Sequence, residues 1–167
     1  VERSRGLGDV YKRQVQRWLG EEPLAPGCPQ VRQSLTVQVL PFVRQEDYDR
    51  LLWCCDFNAV RGEDSFVRAQ WAGRPMLWHI YRQDEDIHLD KLEAFLGLYT
   101  RTLSPGAKAA VLALWQAWNS EASMAEPWKN LLQYWPEVAA HAEQWCLEQG
   151  SQPDLAAALV QFYLNWI

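Results

Sequence analysis

The chain has 167 residues, nearly half of them apolar, enough to bury one respectable core and too few for two full nucleotide-binding halves. Its formal charge of −5 argues against nucleic acid as the partner, because a phosphate backbone calls for a basic face, although an acidic protein can still hold one diphosphate locally. No run approaches the roughly 18 consecutive apolar residues of a membrane-spanning helix. The cysteines Cys28, Cys54, Cys55 and Cys146 lack the C-x-x-C spacing of a zinc or redox site and read as small buried hydrophobes in a reducing cytoplasm.

In chain order, Val1 to Gln14 (VERSRGLGDVYKRQ) resembles translated sequencing-adapter read-through and is set aside as non-native. It holds four basic and two acidic residues, so the remainder carries 12 basic and 19 acidic, a net of −7. Without the apolar core of a signal peptide, it does not read as a targeting segment. Residues 15–33 begin with Val15, Trp18 and Leu19, the tail of a helix, and continue through EEPLAPGCP, where three prolines and a glycine disfavour regular structure. Residues 34–167 then form the expected domain. Ser34 to Phe42 alternates, with Leu35, Val37 and Val39 on one face, which predicts a strand. Gln45 to Cys55 predicts a helix with Tyr48, Leu51, Leu52 and Cys55 on one side.

Phe57 to Val60 is a short apolar run suited to a buried parallel strand, and Ser65 to Trp71 follows with Phe66, Val67 and Trp71 at helical spacing. A further strand ends near Ile80. Strand, helix, strand, helix, strand is the pattern of a doubly wound α/β sheet with parallel strands and right-handed crossovers. From Asp86 the strand signals stop. Helices are expected over roughly Asp86–Arg101, Ser104–Asn119, Trp128–Tyr134, Pro136–Gln149 and Pro153–Trp166, with Ser104-Pro105 and Gln152-Pro153 as starts. Six of the ten tryptophans fall in this half (Trp115, Trp118, Trp128, Trp135, Trp145 and Trp166) and read as packing against the sheet, with some surface left for another domain.

The turn Arg61-Gly62-Glu63-Asp64-Ser65 falls at a strand's carboxyl end, where open α/β sheets bind ligands. Gly62 loosens the backbone, while Asp64 or Ser65 can cap the new helix. The helix's first amides and positive dipole end make an anion site, and Arg61 adds a fork of donors suited to phosphate. These parts suit a diphosphate; they are equally the parts of an ordinary helix start with a surface ion pair.

Residues 41–92, and above all RGEDSFVRAQWAGRP and WHIY, resemble the EarP family, protein-arginine rhamnosyltransferases that modify bacterial elongation factor P. The resemblance implies the Rossmann-like, carboxyl-terminal, donor-binding half of a two-domain GT-B glycosyltransferase, a parallel sheet followed by several helices. It implies transfer of L-rhamnose from dTDP-β-L-rhamnose to an arginine guanidinium of elongation factor P, inverting and without metal or other cofactor. The catalytic aspartate of the family belongs to the other half, so no catalytic residue is expected here and these residues should bind donor without turning it over.

Carried onto this chain, the family's nucleobase pocket falls at Phe42, Gln45 and Tyr48, where two rings can sandwich a thymine and an amide can pair with its imide edge. Arg61, Glu63, Asp64 and Ser65 match the diphosphate and sugar contacts, and Tyr81 matches a ligand-contacting tyrosine. Arg82 stands where proline is expected, leaving the loop shape open. Taken without the resemblance, Phe42 reads as core, Gln45 as a helix cap and Tyr48 and Tyr81 as amphipathic surface. Asp84, Glu85, Asp86, His88 and Asp90 read as a solvated helix start rather than a metal site, and His79 as a hydrogen-bonded strand residue rather than a base. The alternatives are another GT-B donor half with a different nucleotide sugar, or a non-catalytic tryptophan-rich interaction module.

Overall fold

A computed structural model describes residues 8–20, 24–82 and 87–166, which divide into two compact units, residues 1–45 and 46–167. In the first unit, helix α1 (Gly8–Leu19) precedes a hairpin of β1 (Gln30–Arg32) and β2 (Leu35–Val37). The strands pair antiparallel, with Val31 opposite Thr36. Gln33, at φ 55°, and Ser34 make the two-residue turn, so the expected long strand from Ser34 is three residues long and folds back on the segment before it. Its alternating pattern gains no buried face, for Leu35 is exposed, and no described strand of the second unit pairs with it.

Helix α2 (Gln45–Cys54) leads into the second unit, where β3 (Asn58–Arg61), α3 (Glu63–Trp71) and β4 (Met76–His79) form a strand, helix, strand unit. β3 and β4 are parallel, with Asn58 opposite Met76 and Arg61 opposite His79. Buried Asn58 donates from Nδ2 to the Leu52 carbonyl at 3.1 Å, occupying an acceptor at the carboxyl end of α2 while fixing where β3 begins. The expected three-stranded parallel series is thus two strands among the described residues, because its first strand pairs elsewhere.

Among the described residues five helices follow: α4 (Ile87–Tyr99), α5 (Pro105–Asn119), α6 (Ala125–Gln133), α7 (Trp135–Gly150) and α8 (Leu155–Leu164). Ser104 caps α5 by accepting from the Ala107 amide at 3.3 Å, with Pro105 in the first turn as expected. For α8 the cap is Asp154, and Pro153 lies before it rather than within the first turn. The Asp84-Glu85-Asp86 run lies outside the described residues.

The core is aromatic and sits between the two strands and the helices. Phe66 stacks on Trp78 with centroids 4.1 Å apart, and Phe95 joins Phe66, Tyr99 and Trp115 to that stack. Burial pushes the Tyr99 hydroxyl far above the usual phenol range, since a charged phenolate has no solvation there. Trp115 is fully buried and Trp128, Trp135 and Trp145 pack against the core, but Trp118 and Trp166 are exposed. Of the three apolar residues expected to bury the α3 face, Phe66 does so; Val67 and Trp71 are half-exposed, and Ala69 takes the buried place. Cys28, Cys54 and Cys55 are exposed and Cys146 is half-buried, which corrects the expectation of buried thiols: the α2 face that packs inward is carried by Leu52, and Cys55 lies past the helix end.

Candidate functional site

Chain connectivity brings Arg61, the α3 amino terminus and Tyr81 together. Arg61 is the last residue of β3, Gly62 makes the turn, and Glu63 opens α3. Because β4 runs parallel beside β3 in register, the segment leaving β4 emerges at the same edge of the sheet. Tyr81 therefore reaches Arg61, whose guanidinium carbon lies 4.9 Å from the phenol ring centroid, a cation–π distance. A Cβ on Gly62 would stand 3.2 Å from the Tyr81 hydroxyl, so the ring also covers the turn.

Gly62 is the N-cap of α3 at φ 85° and ψ 160°, a conformation open essentially to glycine alone. It brings no side-chain cap, and neither Asp64 nor Ser65 supplies one, contrary to expectation. Both lie inside the first turn, too late to cap it. The first intrahelical bond runs from the Phe66 amide to the Gly62 carbonyl at 3.1 Å, and the amides of Glu63, Asp64 and Ser65 precede it, where a helix leaves its N–H groups without intrahelical acceptors. An anion placed there would meet those amides and the positive dipole end.

The two carboxylates of the turn have different surroundings. Asp64 accepts from Arg68 Nε at 2.9 Å, one helical turn on, while the other end of the same guanidinium grips both oxygens of Asp49 on α2 at 2.9 Å. These partners, first Asp49 and then Asp64, raise the Arg68 pKa above its already high ordinary value. Glu63 is exposed. The i, i+4 spacing of Asp64 and Arg68 was visible in the sequence, whereas the reach to Asp49 depends on α2 packing beside α3.

His79, level with Arg61 across the strand pair, is held below the usual imidazole range, by burial first and then by the cations of Arg61 and Arg82. Arg82, in the position expected for proline, points instead to Glu121 at 2.9 Å on the surface. A feature that sequence reasoning missed lies behind Tyr81: the Asn119 side chain, at the end of α5, bonds the backbone of Trp78 in β4 and of Ile80 just past it. Of the expected nucleobase residues, Phe42 and Gln45 belong to the first unit, where both are exposed, and Tyr48 to the second, where it packs partly against the core. Among the described residues, no three His, Cys, Asp or Glu side chains gather as a metal site, and no helix is long and apolar enough to cross a membrane.

Residues 7–164 match the model of the family described as EarP, Elongation-Factor P (EF-P) rhamnosyltransferase. The chain belongs to the EarP family. It is 62% identical over 151 residues to a protein-arginine rhamnosyltransferase of Pseudomonas putida, covering 90% of this chain and 40% of that protein. It is 58% identical over 167 residues to the Pseudomonas aeruginosa enzyme of the same name, covering all of this chain and 43% of that one. A solved structure described as the structural basis for EarP-mediated arginine glycosylation of translation elongation factor EF-P superposes with a TM-score of 0.81 at 57% identity, over 93% of this chain and 49% of the other. The chain thus spans less than half the length of these EarP relatives. The likeness includes the small parallel sheet and the helices around it.

Proposed function

We propose that this chain is the donor-binding part of an arginine rhamnosyltransferase, a Rossmann-like carboxyl-terminal half of a GT-B enzyme, and that it holds dTDP-β-L-rhamnose for transfer to an arginine of elongation factor P. The observation that carries the reading is the cluster of Arg61, stacked on Tyr81, beside the side-chain-free cap of α3, in a member of the EarP family. The diphosphate would lie across the amides of residues 63–65 with Arg61 on its flank. As the glycosidic bond breaks, negative charge grows on the departing dTDP, so an arginine fixed in place strengthens its hold in the transition state. Ser65 would donate its hydroxyl and amide. Glu63 and Asp64 would contribute chiefly backbone amides, with Glu63 the better placed to accept from sugar hydroxyls. Tyr48, in the same unit as the Arg61 turn, would contact the thymine.

Positive charge for the leaving group then comes from Arg61 and the helix, so the proposed transfer requires no metal. Inversion at the anomeric carbon needs a base near the acceptor guanidinium, which this reading draws from outside these residues. The setting would be the bacterial cytoplasm, where both donor and elongation factor are found.

Calorimetric titration of the chain with dTDP and with dTDP-β-L-rhamnose, beside Arg61→Ala, tests the proposal. Micromolar binding, about −8 kcal/mol, that is largely lost in the variant is the expected result. Absence of binding by a folded chain, or equal binding by the variant, rejects a diphosphate site at this turn. Tighter binding of a uridine diphosphate sugar rejects the donor.

A further inference from the structure

Asn119 closes α5, and both of its side-chain donors and its acceptor oxygen are engaged at one place. Its Oδ1 accepts from the Ile80 amide at 3.1 Å, and its Nδ2 donates to the Trp78 carbonyl at 3.1 Å and to the Trp115 carbonyl, one turn back in its own helix, at 3.0 Å. A carbonyl and an amide two residues apart on one strand edge are the pair that a neighbouring parallel strand would engage, through the N–H and C=O of a single residue. One side-chain amide here stands in for that strand. The requirement is narrow: two donors and one acceptor at the reach of one methylene. An aspartate would turn acceptors toward two carbonyls, and a leucine would leave the strand groups without partners.

The bonded segment ends at Ile80, and the next residue is Tyr81. The direction in which β4 leaves the sheet decides where the Tyr81 ring lands, and that ring both faces the Arg61 guanidinium and covers Gly62. Tyr81 itself is 42% exposed, so its placement rests on the backbone that delivers it. We propose that Asn119 is a positioning residue for the diphosphate site: by replacing a strand at the edge of β4, it fixes the exit of the chain toward Tyr81 and so the orientation of Arg61. This rests on the reading of the Arg61 turn as a diphosphate site, and it adds a residue on a distant helix that touches neither donor nor acceptor.

The test compares dTDP titrations of the chain with those of Asn119→Ala, Tyr81→Ala, the double variant and Arg61→Ala. Val138→Ala, a core change in α7, serves as a control for lost stability. Asn119→Ala should weaken dTDP binding by about tenfold, as loss of a supporting residue does at a pre-organised site. The double variant should bind no worse than the weaker single variant, because both changes act through the same ring. The Arg61 Nε–H resonance, shifted by the Tyr81 ring current in the parent, should move toward its unshifted position in Asn119→Ala. Val138→Ala should lose as much thermal stability with its affinity intact. Should Asn119→Ala not fold, Asn119→Gln keeps the donors and acceptor but displaces them by a methylene, and should show the same resonance change with a smaller loss of affinity. Parent-like dTDP affinity in a folded Asn119 variant, or additive losses in the double variant, overturns the inference; if Arg61→Ala still abolishes binding, the diphosphate site itself stands. If the folded parent chain binds no dTDP, the site and this inference fall together.

Discussion

Replacing Gly62 by alanine tests the local geometry without reference to any ligand. At φ 85° and ψ 160° the residue occupies a region that an L-amino acid enters only under strain, worth about 1–3 kcal/mol. The added methyl would also stand 3.2 Å from the Tyr81 hydroxyl and 3.5 Å from a ring carbon, so the ring has to shift by a few tenths of an ångström, at a further cost of up to about 1 kcal/mol if it leaves its rotamer. For a unit of this size the sum lowers the thermal midpoint by roughly 4–16 °C. Urea unfolding of Gly62→Ala in the parent and in a Tyr81→Phe background separates the two contributions: removing the hydroxyl relieves the contact and leaves the backbone strain. A loss below about 0.5 kcal/mol in both backgrounds, the range of an ordinary surface change, would refute the turn conformation, and with it the placement of the three amides.

Trp115 lies at the centre of the aromatic stack and is 1% exposed, so Trp115→Ala should cost about 3–5 kcal/mol in urea unfolding; a loss under about 1 kcal/mol would mean that the stack does not form. Ser104 caps α5 and its hydroxyl donates to Glu137 Oε2 at 2.8 Å, so Ser104→Ala should cost about 1 kcal/mol, measured the same way. The Ser104 amide, and then its hydroxyl, hold the Glu137 carboxyl below its ordinary value of 4.5. A depressed carboxyl pKa means that the unfolded chain binds more protons, so this stabilisation is present above pH 4.5 and fades as pH falls through the folded value. Thermal midpoints of Glu137→Gln should therefore lie below the parent at pH 7 and approach it as pH falls below 4.5; a constant gap would refute the linkage.

Local signals carried much of the fold. Ser104-Pro105 marked α5 because a hydroxyl cap and a proline in the first turn are properties of four adjacent residues, and the Arg61 turn was legible because the strand, the glycine and the helix that make it are contiguous. What failed depended on partners distant in sequence. The alternation of Leu35, Val37 and Val39 specifies a strand but not which neighbour it pairs with, and a two-residue turn at Gln33-Ser34 settled that in favour of the hairpin. Trp71 and Val67 have the spacing of a buried face, yet α3 turns Phe66 and Ala69 inward instead. Asn119 gave no signal at all, since one asparagine at a helix end resembles any other until β4 lies beside it.

The acidity of the turn is the least expected property of the proposed anion site, and the geometry gives it a physical account. Two carboxylates within three residues of Arg61 would oppose a diphosphate if their charges faced it. Asp64 does not stand alone there: its carboxylate is tied to Arg68, whose cation is shared with Asp49. That bond draws the Asp64 charge along the helix, away from its amino-terminal end, while leaving the Asp64 amide in the first turn. The sequence of the turn then makes sense as backbone rather than as side chains: glycine permits the conformation, the next three residues contribute N–H groups, and Arg68 removes the penalty of one carboxylate. Arg61 and Arg68, seven residues apart, have opposite duties under the proposed reading, the first to meet a negative ligand and the second to quiet a negative neighbour.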